Sequence, residues 1–298
     1  SELILKGVKT FVVSQDIDVS NKEISIIKVK DSLVALQFFA ISHRKKYSIP
    51  VIGITGSYGK TIVKEWLNQL LSQDYTICRS PKSYNSQLGV PLSLLQLNEN
   101  HTLGIFEAGV SNSGDMEKLE SIIKPSIGIL VKLGEAHQEG FNSFEEKELE
   151  KRKLFSSSKI VIELPHIKSG VNIPFSDTAS IENCEICIAL MIHLGYSKEV
   201  IQDRVNGLTH LALRLEMNKG KQNSTVINDG YNISFSSLVL SLEYLKSQAK
   251  NFPKTLIISD IPETEFGSNE FIDLINSQNL ERIITVGNDK LRAVNCKE

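Results

Sequence analysis

Cysteine is scarce in this chain. The four present, Cys78, Cys184, Cys187 and Cys296, are too few and too scattered for a disulfide framework, so a reducing, cytoplasmic setting fits best. Cys184-Glu-Ile-Cys187 has the spacing of redox and metal motifs, but no second cysteine pair is present to complete a zinc site. Both thiols share one face of an expected helix with Ile188 and Met191, where they pack as small apolar groups. Long apolar runs are also missing. None approaches a membrane span, and the first residues lack the basic-then-apolar pattern of a secretion signal. Neither charge is in excess: 33 Lys and Arg against 35 Asp and Glu leave −2, which gives no electrostatic case for nucleic acid or an anionic membrane surface. Internal repeats and low-complexity segments are absent too. Apolar residues, by contrast, make up 41% of the 298, enough for more than one core and for two or three domains.

The most informative stretch is Val51-Ile-Gly-Ile-Thr-Gly-Ser-Tyr-Gly-Lys-Thr-Ile-Val-Lys-Glu-Trp-Leu67. Val51 to Thr55 is short, apolar and β-branched, as befits a strand covered on both faces. Gly56 and Gly59 bracket a loop whose backbone N–H groups can face one point. Lys60 and Thr61 open a helix with Val63, Trp66, Leu67, Leu70 and Leu71 on one face. A helix N-terminus carrying an ammonium and a hydroxyl suits phosphate and Mg²⁺, so the stretch reads as a nucleoside triphosphate loop. Ile54 stands where the usual pattern has its first glycine, and the bland alternative is a glycine-rich turn of another α/β protein.

Residues 1–49 read as a partial domain, with a strand at 10–13 and a helix at 31–43, and Arg44 to Pro50 forms a polar linker. From residue 51, expected strands at 51–55, 75–79, 103–108, 127–133 and 159–163 alternate with helices near 60–72, 89–96, 114–123 and 144–155. That pattern predicts an α/β domain with a mostly parallel sheet over residues 50–208. A helix follows at 177–194. Residues 209–298 read as a further α/β unit, with strands at 224–228, 255–259 and 282–286 and helices near 235–250 and 268–278. Ligands of such sheets sit at the carboxyl ends of strands. Glu107 closes an apolar strand there and serves as a Mg²⁺ ligand or as a cap for the next helix. His137 is a metal ligand or a loop histidine. The run Glu145 to Lys153 reads as a solvated helix face with Glu148 and Arg152 at i, i+4.

With Thr55-Gly-Ser-Tyr-Gly-Lys-Thr61 in place, four further groups of residues fall into a known order. They are Ser83-Tyr-Asn-Ser-Gln-Leu-Gly-Val-Pro91 with Glu107-Ala-Gly109, then Gly134-Glu-Ala-His-Gln-Glu-Gly-Phe141, Arg214-Leu-Glu216 and Asn228-Asp-Gly-Tyr-Asn232. From about residue 30 to the end the chain resembles the Mur ligases, most closely the MurF type and, within it, the form fused to an alanine racemase. The resemblance implies three domains: a UDP-substrate domain, a central P-loop ATPase and a Rossmann-like C-terminal domain, here with a partial first domain and an incomplete last one. It implies ATP- and Mg²⁺-dependent joining of D-alanyl-D-alanine to UDP-N-acetylmuramoyl-tripeptide through an acyl phosphate, in peptidoglycan synthesis and hence cell shape and division.

The same resemblance assigns Gly56, Ser57, Tyr58, Gly59, Lys60 and Thr61 to the triphosphate, and Lys60, Lys151 and His137 to catalysis. Thr61, Glu107, His137 and Lys151 are assigned to metal, with Lys151 as a carbamylated lysine. Asn85 is a substrate contact, Asn183 meets adenine, and Arg214 and Asp229 reach ATP from the C-terminal domain, with Tyr231 beside them and a hinge near 207–210. Val131-Lys132 stands where that family has a polar pair. Two other readings are a folylpolyglutamate-synthase-like ligase and a degenerate, non-catalytic nucleotide-binding module.

Overall fold

The computed structural model describes residues 2–17, 24–134, 140–164, 168–212, 215–230, 235–249, 252–259 and 268–286. In chain order the elements are α1 (Glu2–Leu5), β1 (Thr10–Val13), β2 (Ser25–Lys28), α2 (Ser32–Arg44), β3 (Val51–Thr55), α3 (Lys60–Leu71) and β4 (Ile77–Arg79). Then come α4 (Gly89–Leu94), β5 (Leu103–Glu107), α5 (Asp115–Ile123), β6 (Ile127–Leu130), α6 (Phe144–Arg152), β7 (Ile160–Ile162), α7 (Thr178–His193) and α8 (Lys198–Asn206). The chain closes with β8 (Glu216–Lys219), β9 (Thr225–Asn228), α9 (Phe235–Gln248), β10 (Thr255–Ser259), α10 (Ser268–Asn276) and β11 (Arg282–Val286). Contacts divide it into two compact units. One comprises Ser1–Thr55, Leu71–Ile129 and Glu145–Val161; the other comprises Gly56–Leu70, Leu130–Phe144 and Ile162–Glu298.

The first unit is built on a sheet of order β4-β5-β3-β6-β7, in which β3 and β4 each run parallel to β5. Every residue of β3 and β5 is buried, which is why these strands read as unbroken apolar runs rather than as alternation. The α/β class with a parallel sheet therefore holds. The register sets Ile54 opposite Glu107, so the carboxylate lies at the C-terminal end of its strand.

Ahead of the sheet, β1 and β2 pair in parallel, and α2 starts at the N-cap Asp31, whose carboxylate accepts from Leu33 N (2.7 Å) and Val34 N (3.1 Å). His43 Nε2 lies 2.8 Å from the Leu97 carbonyl and Arg44 Nε donates to Ile123 O (3.2 Å), so α2 is tied into this unit.

Helix α6 departs from the expected solvated face. Arg152 Nε does meet Glu148 Oε1 at 2.8 Å. Lys147, Glu150 and Lys151, however, are buried, while Leu149 is 66% exposed. Glu150 explains part of the inversion. Its Oε1 accepts from Met116 N (2.8 Å) in the first turn of α5, whose own N-cap, Gly114, has no side chain to do so. Lys153 Nζ sits 2.8 Å from Glu150 Oε2. One charged side chain of this face is thus buried because it caps a neighbouring helix.

In the second unit, α3 buries Val63, Trp66, Leu67 and Leu70 as the 3.6-residue period requires. Cys184 and Cys187 are fully buried on α7, and Cys187 Sγ lies 3.9 Å from Val63 O. Burial pushes Cys184 up to about 12 and Cys187 well above its ordinary value, so both pack as neutral thiols.

Trp66 stacks on Phe175 (centroids 4.6 Å apart, planes 9° apart), Phe175 meets His210 at 4.8 Å, and His210 meets Tyr244 of α9 at 5.6 Å. Trp66 Nε1 also donates to Thr209 O (2.9 Å). Residues 207–210, expected as a hinge, are held through these contacts.

Sequence reading did not foresee α8 or β8. α8 opens on Ser197, whose Oγ accepts from Val200 N, and buries Ile201 and Val205. β8 pairs antiparallel with β9 as a mostly exposed, polar hairpin. Farther on, β10 and β11 run parallel, and Leu238, Leu242, Ile258, Phe271, Ile275 and Leu280 form their core.

Candidate functional site

Thr55 ends β3, and its buried Oγ1 has no hydrogen-bond partner among the described residues. The next residue, Gly56, has φ +139°, and Gly59 has φ +92°, conformations that side chains disfavour. Space forbids side chains as well. A β-carbon at Gly56 would collide with Val131, and one at Gly59 would collide with the Asn183 amide of α7. The loop between them is held from one segment. Ser57 N and Tyr58 N both donate to Lys132 O (2.9 and 3.1 Å), and Ser57 Oγ donates to Gly134 O (3.1 Å). Lys60 Nζ curls over the loop and donates to Gly56 O (2.8 Å) and Ser57 O (3.1 Å). Thr61 is the second residue of α3, beside that ammonium in sequence.

The result is a glycine-bounded turn of backbone amides, a helix N-terminus, an ammonium and a hydroxyl. This donor set fits a triphosphate with a hard, oxygen-seeking divalent cation. Asn183 is buried against Gly59, so the residue expected at adenine touches the loop itself.

In the first unit, Glu107 is fully buried at the end of β5 and its N–H donates to Ser80 Oγ (3.1 Å). A carboxylate so placed needs a cation or strong donors around it. Asn85 lies close by. Its carbonyl accepts from Gly109 N (2.8 Å), and its amide side chain packs on Gly109, two residues past Glu107. The expected substrate contact and metal ligand therefore share one strand-end region. Lys151 is buried on α6, one turn from the equally buried Lys147.

Asp229 sits just past β9. Its Oδ1 accepts from Leu215 N (3.3 Å) and its Oδ2 accepts from Ser241 Oγ, so it joins the start of β8 to α9. His137, Arg214 and Tyr231 lie outside the described residues.

One participant was not assigned from sequence. Lys132 Nζ pairs with Glu182 Oε2 at 3.0 Å. No spacing rule links residues 50 apart, so only the unusual Val131-Lys132 pair marked the place. Near residue 210, burial holds His210 below its ordinary histidine value, against the opposing pull of Asp177.

A phosphate loop at the end of a parallel strand, with a buried carboxylate closing the next strand, defines a nucleotide-binding α/β protein. Residues 54–165 match the model of the Mur ligase middle domain. The chain is 28% identical over 348 aligned residues to the UDP-N-acetylmuramoyl-tripeptide--D-alanyl-D-alanine ligase of Rickettsia prowazekii, covering 96% of this chain and 76% of that one. Its fold matches MurF from Acinetobacter baumannii with a TM-score of 0.83 and 22% identity, over 96% of this chain and 74% of that one. MurF ligase from Thermotoga maritima, solved in complex with ADP, gives a TM-score of 0.81 and 21% identity over 99% and 79%. Among the described residues no helix is long and apolar enough to cross a membrane.

Proposed function

We propose that this protein is an ATP- and Mg²⁺-dependent ligase that forms an amide bond between D-alanyl-D-alanine and UDP-N-acetylmuramoyl-tripeptide. The observation that carries the reading is the phosphate loop, pinned between segment 131–134 and Asn183, within a central domain of Mur ligase type. In this reading segments 1–49, 50–208 and 209–298 act as part of the UDP-substrate domain, the ATPase and the closing domain. Buried free thiols at Cys78, Cys184 and Cys187 suit a reducing cytoplasm.

When bound, ATP supplies the phosphoryl group that activates the substrate carboxylate as an acyl phosphate, and Mg²⁺ neutralises its charge. The chain's own residues do the rest. With Ser57 and Tyr58 held by the Lys132 carbonyl, the amides at the N-terminus of α3 cradle phosphate oxygens, and the Lys60 ammonium leaves its carbonyl partners to offset charge on the transferring group. Thr61, Glu107, His137 and Lys151 are the residues that would hold Mg²⁺, through a hydroxyl, a carboxylate, an imidazole and a carbamate. Asn85 orients the muramoyl peptide, Asn183 faces adenine, and Arg214 and Asp229 complete the nucleotide site when the domains close.

Lys151 takes part as a carbamate. Its neutral amine attacks carbon dioxide, forms an N–C bond and releases a proton, which converts a cation into an oxygen ligand.

Two measurements test this. Phosphate release by the full chain should require both peptide substrates, and release no faster than background would end the ligase reading. ATP binding without turnover would instead favour a non-catalytic module. With ¹³C-bicarbonate, a carbamate resonance should appear in the wild type and vanish in Lys151→Ala, whose activity small carboxylates partly restore. A resonance unchanged in Lys151→Ala would remove that assignment.

A further inference from the structure

Lys132 has no part in the chemistry above, yet it holds the loop that performs it. Its carbonyl oxygen accepts from two consecutive loop amides, Ser57 and Tyr58. Its ammonium lies 3.0 Å from Glu182 Oε2 and 3.5 Å from Oε1. Glu182 directly precedes Asn183, whose side chain lies against Gly59. One residue therefore anchors the middle of the loop through its main chain and α7 through its side chain, while α7 covers the loop's second glycine.

The charges are partly open to water, at 46% and 23% exposure, so the pair adds little to global stability. Its leverage is local. The Lys132 carbonyl takes up the Ser57 and Tyr58 amides and so fixes the course of the loop, and a loop fixed in advance binds an anion without a reordering cost.

We propose that the Lys132–Glu182 ion pair is a positioning pair that presets the phosphate loop and thereby sets nucleotide affinity. The proposal rests on the phosphate-site reading of that loop and not on the identity of the peptide substrates.

The test is calorimetric binding of MgADP to the full chain. It compares wild type, Lys132→Met, Glu182→Gln and the charge swap Lys132→Glu with Glu182→Lys. Each single change should raise Kd about threefold, as expected for a partly exposed ion pair. The swap should recover most of that loss, and the differences should shrink in about 0.5 M salt. In turnover assays the KM for ATP should rise by the same factor while kcat holds, a split that general loosening of the fold would not give. Lys132→Arg should bind like wild type. Unmoved or tighter binding in the single variants, or a swap no better than either, overturns the pair. A wild type that does not bind MgADP overturns the phosphate-site reading itself.

Discussion

Helices α3 and α6 both carry residues assigned to the reaction, but the buried face of the first is mostly apolar and that of the second mostly charged. α3 buries Val63, Trp66, Leu67 and Leu70 together with a single charged side chain, Lys64, whose ammonium lies 3.1 Å from Glu65 Oε1. α6 buries Lys147, Glu150 and Lys151 and turns Leu149 to solvent. Burial of the first lowers free energy by itself, through apolar area removed from water. Burial of the second raises it unless each charge finds a partner. Glu150 has found partners: the Met116 amide, and the Lys153 ammonium at 2.8 Å. The contrast separates a helix kept in place mostly by its apolar core from one kept in place by polar contacts.

The largest way to sharpen this contrast is Trp66→Ala. Removing the side chain leaves a cavity beside Phe175 and strands the Thr209 carbonyl, and should cost about 3–5 kcal/mol in denaturant unfolding. A loss under about 1 kcal/mol, within the range of ordinary surface changes, would break the claim that α3 is core-held.

Lys60→Ala comes next and should act on chemistry rather than on the fold. Turnover should fall about 10²–10³-fold, with the melting temperature little changed, because developing charge loses its ammonium. Phosphate release at wild-type rate would refute the loop assignment.

On α6, Glu150→Gln should cost about 1–3 kcal/mol, as a buried charged acceptor is lost. Burial raises the Glu150 carboxyl, but hydrogen bonds from Lys153, Met116 and Gly114 outweigh it and hold the group below its ordinary 4.5. The group therefore adds stability above pH 4.5, and that stability is lost as pH falls through the lowered folded value. The gap between wild type and Glu150→Gln should be full at neutral pH and close in acid. A gap that widens in acid would reverse the assignment.

Smallest of all, Leu149→Gln should change stability by no more than about 0.5 kcal/mol, since the side chain is already in water. A larger loss in thermal melting would mean that α6 has an apolar face after all.

The same contrast explains what could be read from the sequence. Apolar periodicity located β3, α3, β5, α9, β10 and β11 to within a residue or two, because burial of those side chains is the reason for the elements. The phosphate loop was legible because Gly56 and Gly59 answer to backbone conformation, a local property. The charged face of α6 was not legible, since its burial depends on a helix 30 residues upstream. β8, Glu-Met-Asn-Lys, carries no apolar alternation because the hairpin lies at the surface. α8 did leave signals, Ser197 at its start and Gly207 at its end, which a capping rule would have caught. Of the expected site residues, the glycine loop follows β3 and Glu107 closes β5, the strand ends where the sequence put them; Asn85 and Asn183 were assigned from the family resemblance alone, and they lie against Gly109 and Gly59. Lys132 and Glu182 pair across 50 residues, a relation that only tertiary structure reveals.

Trp66 is the single tryptophan of the chain, and its indole is committed at once to a ring stack and to the Thr209 carbonyl. The protein thus carries a built-in optical probe. Indole emission, excited selectively over the seven tyrosines, arises from one fluorophore, carried by the helix that follows the glycine loop and held against Phe175 and the Thr209 carbonyl. A shift in that emission on adding nucleotide would report strain at these contacts without any label.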